Sequence, residues 1–409
     1  MAGLEFPDGF LWGAATAAHQ VEGGIDNDWT HFERQPRAIK NGDRSELGVD
    51  HYRRFDADFG LAADMGHNAH RLSIEWARIE PARGHYDRSE IDHYHEVIAS
   101  LRKRGLEPFV TLHHFTNPRW VADQGGWLED RTVDDFVRYA AFMGKEFRGA
   151  VRFWITINEP NIYACHSYVT GTWPPRRHSF PAAMRVLSQL SRAHLGAYRA
   201  LREADPAARI GYSQNLMTFA PFACWSPVDR AFVRLSDRLF NRSVLDVVHG
   251  ALDFIGVNYY TRAHLRFPRV ILALAGAPRN DLGWEIYPDG LYEALKLAGE
   301  YARPRGIPVY VTENGIDDRL GERRSAYLVD HLRAVHRAVS EGVDVRGYIH
   351  WTLMDNFEWA EGYAPRFGLF YVDRENDLAR VPTPAVGVFR TVTTHNGLTP
   401  DLLDRFAPA

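Results

Sequence analysis

Short apolar runs alternate with longer amphipathic segments along the whole chain. Eight of these runs predict β-strands, at residues 10–17, 69–76, 107–115, 152–159, 209–216, 252–260, 308–315 and 345–353. The segments between the runs repeat apolar residues at the helical period and predict helices at 50–66, 89–105, about 132–147, 181–204, 228–249, 289–303, 321–341 and 384–394. Eight strand–helix pairs predict an α/β fold, a single (β/α)8 (TIM) barrel; a doubly wound open sheet is the alternative.

Hydrogen-bonding side chains stand at or just beyond the ends of most predicted strands. They are Gln20, His114, Asn158 with Glu159, Asn258 with Tyr260, Glu313 and Trp351. Because the parallel strands of a closed barrel all end at one face, these side chains are expected to line one shared pocket. The sequence therefore predicts an active site at the C-terminal ends of the strands.

Composition and charge narrow the class of protein. The chain has 409 residues, is 45% hydrophobic and carries a net charge of −4 without a basic stripe, so no nucleic-acid partner is expected. Its two cysteines, Cys165 and Cys224, indicate free thiols rather than a disulfide framework. Neither a linker nor an internal repeat divides the chain, which predicts one catalytic domain over residues 1–409.

The sequence contains no segment that is both apolar and long enough to span a bilayer. The longest apolar run, residues 270–277, is far shorter than the roughly 20 residues that a spanning helix needs. The first residues also lack the basic segment and apolar stretch of a secretory signal. We therefore expect a cytoplasmic location and no membrane partner.

Two of the predicted strands end in a carboxylate. Glu159 closes the run RFWITINE, and Glu313 stands near the end of PVYVTENG. Two carboxylates that face one pocket suit the hydrolysis of a glycosidic bond, in which one donates a proton and the other attacks or activates water. Their repulsion raises one pKa and keeps that group protonated near neutral pH. The alternative is that each glutamate forms a salt bridge at the rim.

Six motifs in register resemble glycoside hydrolase family 1, the retaining β-glucosidase family. They are FLWGAATAAHQVEG (10–23), HHFTNPRW (113–120), TINEP (156–160), NYYT (258–261), TENG (312–315) and HWTLMDNFEWAEGY (350–363). The resemblance runs from about residue 4 to about residue 395. It implies a retaining exo-β-glycosidase that acts on β-linked glucosides or short oligosaccharides, with galactosides and fucosides as side substrates and no cofactor.

The resemblance also implies the roles of four residues. Glu159 in TINEP would be the acid/base, and Glu313 in TENG the nucleophile that forms a covalent glycosyl-enzyme, with the two carboxyls about 5–5.5 Å apart. Arg71 would keep the nucleophile ionised, although a buried ion pair between Arg71 and Glu75 is an alternative reading of the alternation along that strand. Tyr260 would donate its hydroxyl to Glu313.

A second set of residues is expected to bind the sugar. By the resemblance, it comprises Gln20, His114, Asn158, Trp351, Glu358 and Trp359. Gln20 and Glu358 can each bridge two neighbouring hydroxyls, and Asn158 would bond to the 2-hydroxyl. The resemblance further predicts a cis peptide bond between Trp351 and Thr352. His113 points away from His114 along a strand, so a metal site is not expected and His113 is predicted to be structural.

Other functions remain as alternatives on the sequence. They are a transglycosylating family member, a non-catalytic sugar-binding protein, a metal-dependent sugar isomerase and an enzyme for phosphorylated glycosides. Glu358 and Trp359 argue against the last, because an anionic Glu358 would repel a phosphate. The chain departs from the family pattern at His19, at Phe115-Thr116-Asn117 and in a shortened stretch from 215 to 253, while Trp173, Trp225 and Trp284 are candidates for the aglycone entrance.

Overall fold

All eight apolar runs form strands, and these strands pair in parallel into a closed barrel. The computed structural model of the chain describes residues 2–407. In chain order the strands are β1 (Leu11–Ala15), β2 (Ala69–Ser73), β3 (Glu107–His113), β4 (Phe153–Asn158), β5 (Arg209–Asn215), β6 (Phe254–Tyr259), β7 (Val309–Asn314) and β8 (Val345–His350). Because β8 pairs with β1, the predicted (β/α)8 barrel is confirmed and the open sheet is wrong.

Aromatic rings fill the barrel near the amino ends of its strands. Phe109, Phe153, Phe254 and Tyr310 are buried and pack against one another, and the rings of Phe109 and Phe153 stack with centroids 4.3 Å apart. Each residue comes from the first half of its strand, so this apolar layer forms the floor of the barrel. The polar side chains predicted for the active site lie at the opposite, carboxyl end.

An α-helix follows each strand on the outside of the barrel. The helices are α1 (His51–Asp64), α2 (Arg88–Lys103), α3 (Asp130–Glu146), α4 (Phe180–Ala204), α5 (Pro227–Ser236), α6 (Pro288–Ala302), α7 (Arg324–Ser340) and α8 (Pro384–His395). Asp87 caps the start of α2 by accepting two backbone N–H groups, and Gly105 follows its end with a φ of 72° that favours glycine. Short helices occupy Ala18–Val21, Asp28–Phe32, Trp76–Ile79, Arg119–Asp123, Pro160–Ala164, Leu245–Val248 and Pro400–Arg405.

The single helix predicted at 228–249 is wrong. In its place α5 ends at Ser236, a π-helical turn covers Asp237–Arg242, and a separate short helix follows at Leu245–Val248. The side chain of Asn241 exchanges hydrogen bonds with the backbone N–H and C=O of Met217, just beyond β5. Because this contact ties the helical turn to the barrel, the wider π turn replaces a regular one there.

Small sheets lie outside the barrel. Strands Arg269–Ile271, Arg262–Arg266 and Thr218–Pro221 form a three-stranded sheet, in that order, on the segments that follow β5 and β6. Two further pairs join Leu4–Glu5 to Gly397–Leu398 and Phe370–Asp373 to Ala379–Pro382. Among the helices within residues 2–407, none combines the length and apolar character needed to cross a membrane.

Candidate active site

Both predicted catalytic glutamates lie at the carboxyl ends of barrel strands. Glu313 is the fifth of the six residues of β7, and Glu159 directly follows β4 with a left-handed φ of 44°. A positive φ is uncommon for a residue with a Cβ, and such backbone strain concentrates at functional sites. Both side chains are buried, with 5% of Glu159 and 3% of Glu313 exposed.

Two neutral amides donate hydrogen bonds to Glu159. The Nδ2 atoms of Asn215 and Asn258 each lie 2.9 Å from its Oε1. Burial raises the pKa of Glu159 to about 8, the charge of Glu313 adds to the rise, and the amide hydrogen bonds offset it only in part. Near neutral pH Glu159 is therefore protonated and able to donate a proton.

Glu313 has donors of a different kind. Nη1 of Arg71 donates to its Oε1, and the hydroxyl of Tyr260 donates to its Oε2 over 2.5 Å. Burial raises the pKa of Glu313, while the positive charge of Arg71 and the hydrogen bonds from Tyr260 and Arg71 oppose that rise. Burial also raises the pKa of Tyr260 well above its usual value, so this phenol keeps the proton that it donates.

Arg71 links the two halves of the site. Its Nη2 donates to Oδ1 of Asn158 over 2.6 Å, and Asn258 donates to the same oxygen over 3.1 Å. Since two donors already reach Oδ1 of Asn158, its Nδ2 is the atom available to a sugar hydroxyl. The alternative ion pair between Arg71 and Glu75 is not formed, because Arg71 pairs with Glu313 and Glu75 accepts the hydroxyl of Thr116.

Parallel rings form one wall of the pocket. The His114 imidazole is within 14° of parallel to the indoles of Trp351 and Trp359, with centroids 6.0 Å away from each. Nε1 of Trp351 donates to Oε1 of Glu358 over 3.2 Å, and burial raises the pKa of Glu358 to about 8. The peptide bond between Trp351 and Thr352 is cis, which confirms that prediction.

Buried polar atoms without partners point into the same region. Nε2 of Gln20 donates to Asn356 and to the carbonyl of Phe357, while its Oε1 is buried without a partner among the described residues. Nδ1 of His114 is also buried without a hydrogen-bond partner among the described residues. Burial lowers the pKa of His114 well below its usual value, so the ring is neutral. Both atoms belong to predicted sugar-binding residues, and sugar hydroxyls can satisfy both.

The structure brings all ten predicted site residues into one connected cluster. Hydrogen bonds or ring contacts join Glu159, Glu313, Arg71, Tyr260, Gln20, His114, Asn158, Trp351, Glu358 and Trp359, with Gln20 reaching the set through the backbone that precedes Glu358. Sequence reasoning missed the roles of Asn215 and Asn258. Asn258 was expected at the pocket without a role, and Asn215 was not; its place at the end of β5 is the signal that could have revealed it.

His19 forms part of the same wall, although the family pattern gave it no role. Its ring stacks on Trp359 at 12°, with centroids 5.5 Å apart. Nε2 of His19 is 3.1 Å from Oε1 of the buried Glu33, and Nδ1 contacts the amide of Asn27. The pair of His19 and Glu33 therefore holds one face of Trp359 in place.

The remaining aromatic and histidine candidates divide into residues at the pocket wall and residues outside the pocket. Trp173 packs against Trp359 at the pocket wall and Trp284 packs against Tyr260, whereas Trp225 is 81% exposed on the outer surface. His113 bonds to Asn117 outside the pocket, consistent with a structural residue. Within residues 2–407 no group of three or more His, Cys, Asp or Glu is arranged to hold a metal ion.

This geometry defines a class of protein. A buried carboxyl that is protonated near neutrality and a second carboxyl bonded to a guanidinium and a phenol are the two groups that cleavage of a glycosidic bond requires. Indole faces and unpaired amide atoms beside them suit a sugar ring with its hydroxyls. The fold and site together are those of a barrel glycosidase.

Comparison with known proteins identifies the family. A family model described as Glycosyl hydrolase family 1 matches residues 3–250 and 236–398. β-Glucosidase A of Thermotoga maritima is 32% identical over 444 aligned positions, covering 96% of this chain and 99% of the relative. A β-galactosidase of Pyrococcus woesei is 30% identical, covering 96% of this chain and 98% of the relative.

Solved structures agree with the sequence comparison. A β-glycosidase from Pyrococcus horikoshii matches with a TM-score of 0.92 at 34% identity, covering 100% of this chain and 99% of that chain. A family 1 β-glucosidase from Thermotoga maritima in complex with isofagomine lactam matches with a TM-score of 0.89 at 32% identity, covering 97% and 100%. The chain belongs to glycosyl hydrolase family 1 and is an O-glycosyl hydrolase.

Proposed function

We propose that this enzyme is a retaining exo-β-glycosidase that acts first of all on β-glucosides, with β-galactosides and β-fucosides as side substrates. The observation that carries the proposal is the difference between the donors on the two glutamates. Neutral amides and a raised pKa suit Glu159 to the role of acid/base, while Arg71 and Tyr260 suit Glu313 to the role of nucleophile. The names of the relatives, β-glucosidase and β-galactosidase, support the substrate class.

In the first step Glu159 donates its proton to the glycosidic oxygen while a carboxylate oxygen of Glu313 attacks the anomeric carbon. The bond to the aglycone breaks, the aglycone leaves as a neutral alcohol, and an ester joins the sugar to Glu313. The oxocarbenium-like transition state is positive and lies between two carboxyls. Retention requires those carboxyls to be about 5–5.5 Å apart, and that separation stays a prediction.

In the second step Glu159 acts as a base. Esterification removes the negative charge of Glu313, which is one of the causes that raise the pKa of Glu159. The pKa of Glu159 therefore falls, and its carboxylate takes a proton from water as that water attacks the anomeric carbon. The second inversion releases the sugar with its original β configuration and restores both groups.

Sugar recognition rests on buried polar side chains that keep hydrogen-bonding capacity in the described residues, including the orphaned Oε1 of Gln20. Oε1 of Gln20 can accept from a hydroxyl, Glu358 can donate or accept according to its protonation, and Nδ2 of Asn158 can donate to the 2-hydroxyl. The axial and equatorial 4-hydroxyls of galactose and glucose differ only in direction. A bridging amide and carboxyl pair can therefore serve both sugars.

Turnover of nitrophenyl β-glycosides and azide rescue test the proposal together. Wild-type enzyme should release nitrophenol from β-glucosides but not from α-glucosides. Glu313→Gly with azide should yield the α-glucosyl azide, and Glu159→Gly with azide should yield the β-glucosyl azide, because azide replaces a different partner in each case. Glu375→Gln, which alters an exposed carboxylate, is the matched control and should keep full activity.

No turnover of any nitrophenyl β-glycoside by the wild type would contradict the proposal. Azides of the same configuration from both glycine variants would overturn the assignment of the two roles. The cytoplasmic location expected from the sequence stays a prediction, which fractionation of the source cells would test.

A further inference from the structure

Exposed apolar side chains concentrate in one part of the surface. Thirteen large apolar residues are exposed in the described part of the chain, and eight of them fall between residues 222 and 272. Val247 belongs to the separate short helix Leu245–Val248, and the other seven are considered together. They are Phe222, Trp225, Val228, Leu235, Phe267, Val270 and Leu272, which we call the rim patch. Scattered single apolar residues need no explanation, whereas exposed apolar residues concentrated on neighbouring elements are typical of an interaction surface.

Backbone contacts hold the rim patch together. The N–H of Phe267 donates to Oδ1 of Asp229 in α5, and its ring packs against Phe232 of the same helix with centroids 5.5 Å apart. The N–H of Phe222 donates to the carbonyl of Leu265 in the three-stranded sheet. The patch is therefore built from α5 and the sheet beneath it, on fixed secondary structure.

Helix α5 exposes both apolar and basic side chains. Its apolar Val228 and Leu235, seven residues apart, lie along one edge of the exposed face, while Arg230 and Arg234 lie along the other edge, roughly 130° away around the helix. The fully buried residue of this helix is Asp229, whose carboxylate accepts backbone N–H groups. A helix of a globular protein ordinarily buries its apolar side chains. Here Phe232 and Val233 are half-buried, while Val228 and Leu235 remain exposed.

The arginines around the patch have no acidic partner among the described residues. They are Arg230, Arg234, Arg238, Arg266 and Arg269. The nearby acids are already used: Asp237 pairs with Arg242, and Glu285 pairs with Arg262 and His264. Arginines spaced by four along a helix repel one another, so this arrangement costs stability unless an anionic partner offsets it. It gives a locally basic surface on a chain whose net charge is −4.

The rim patch flanks the mouth of the barrel. The strand Thr218–Pro221 begins three residues after Asn215, which bonds to Glu159, and Arg262–Arg266 begins two residues after Tyr260, which bonds to Glu313. The patch therefore lies on the side from which substrates enter the barrel. A surface that binds this patch would lie beside the active site.

We propose that the rim patch docks on the surface of an anionic lipid bilayer. Trp225 and Phe267 would enter the headgroup region, and the unpaired arginines would contact the lipid phosphates. A second copy of the chain fits less well, because a twofold contact through this patch would oppose two sets of unpaired arginines. The proposal revises the expectation of no membrane partner, which rested on the absence of a spanning segment and not on the surface.

Co-sedimentation of the full chain with vesicles tests the proposal. Vesicles of an equal mixture of phosphatidylserine and phosphatidylcholine should carry the protein into the pellet at about 0.05 M salt, and about 0.5 M salt should release it. Vesicles of phosphatidylcholine alone should retain little of it. This measurement does not use enzymatic activity, so its failure leaves the proposed function untouched.

Two sets of variants separate the apolar and the charged contributions. The triple variant Arg230→Gln, Arg234→Gln and Arg238→Gln should weaken binding about fivefold per arginine, and Trp225→Ser with Phe267→Ser should weaken binding to a comparable extent. The matched control, Leu320→Ser, changes a side chain that is 79% exposed outside the patch and should bind as the wild type does. Unchanged circular dichroism and melting temperature would show that each variant is folded.

Three results would overturn the proposal. The first is equal sedimentation with neutral and anionic vesicles, and the second is no sedimentation with either. The third is a lipid-free dimer, detected by light scattering, that both variant sets abolish, since this would assign the patch to self-association.

Discussion

Glu159 and Glu313 are buried to nearly the same extent, but the donors around them differ in charge. Glu159 accepts from the amides of Asn215 and Asn258, which carry no charge. Glu313 accepts from a guanidinium and a phenol. Hydrogen bonds from a charged donor are roughly twice as strong as those from a neutral one, and they favour the ionised carboxylate.

The difference between the two sets of donors determines which of the two carboxyls is protonated in the free enzyme. Burial raises the pKa of both carboxyls, so neither would ionise easily alone. Arg71 opposes that effect strongly at Glu313, whereas the charge of Glu313 adds to it at Glu159. With one positive charge between two acids, the single proton therefore resides on Glu159, and the pH profile should report each side of the pocket separately.

The largest effect is expected on the Glu313 side. Glu313→Gln removes the proposed nucleophile, keeps the shape and should lower kcat by a factor on the order of 10⁴ to 10⁶, as loss of a nucleophile does elsewhere. Steady-state kinetics on a nitrophenyl β-glucoside would measure it. A loss of less than about a hundredfold would show that Glu313 is not the attacking group.

Glu159→Gln should have the next largest effect and a different pattern. Loss of the proton donor should lower kcat/KM by a factor on the order of 10² to 10⁴ for substrates with poor leaving groups. Dinitrophenyl glucosides, whose leaving group needs no proton, should lose far less in the first step. The basic limb of the pH profile, set in the wild type by a pKa of about 8, should disappear. An equal loss for both leaving groups would contradict the role of Glu159 as acid.

Tyr260→Phe tests the donor set of Glu313 more finely. A hydrogen bond to a charged group contributes about 1.5–3 kcal/mol, so its removal should lower kcat/KM by roughly 10- to 150-fold. The ionised form of Glu313 loses a donor, its pKa rises, and the acidic limb of the kcat/KM profile should move to higher pH. Tyr259→Phe is the control, since that hydroxyl donates to the carbonyl of Tyr287 outside the pocket. An unmoved acidic limb would place the effect of Tyr260 elsewhere.

Much of the fold, and the positions of both glutamates, could be predicted from the sequence. Apolar runs that end in polar residues predicted the eight strands and put both glutamates at one face of the barrel. Tyr260 donates to Glu313, as the resemblance implied, whereas the neighbouring Tyr259 donates to the carbonyl of Tyr287. The predictions from the apolar runs succeeded because strand periodicity and burial are local properties of the chain.

Other features depend on how strands pair, which a local pattern does not encode. The pairing of β4 with β5 shifts register between Ile155 and Asn158, and the pairing of β7 with β6 shifts between Val311 and Glu313. Such irregularities re-aim the side chains that follow them. Asn215, and the role of Asn258 at the pocket, were missed for the same reason: an amide becomes a donor to Glu159 only when neighbouring strands bring it there.

Asn215→Leu should give the smallest effect of these variants. It is also the most direct test of the difference between the donors of Glu159 and those of Glu313. The amide of Asn215 donates to Glu159 and lowers its pKa, so its loss should raise that pKa further above about 8. A neutral hydrogen bond contributes about 1 kcal/mol, which corresponds to a shift of less than about one pH unit in the basic limb.

The acidic limb should stay where it is in Asn215→Leu, because Asn215 bonds to Glu159 and Glu313 keeps both of its donors. A kcat/KM profile measured over the full pH range, beside that of Tyr260→Phe, would check both statements. Loss of the Tyr260 donor should therefore move the acidic limb of the bell-shaped kcat/KM profile to higher pH. Loss of the Asn215 donor should move the basic limb of that profile to higher pH. If both variants moved the same limb, the two carboxyls would titrate as one coupled pair, and the proton could not be assigned to Glu159 alone.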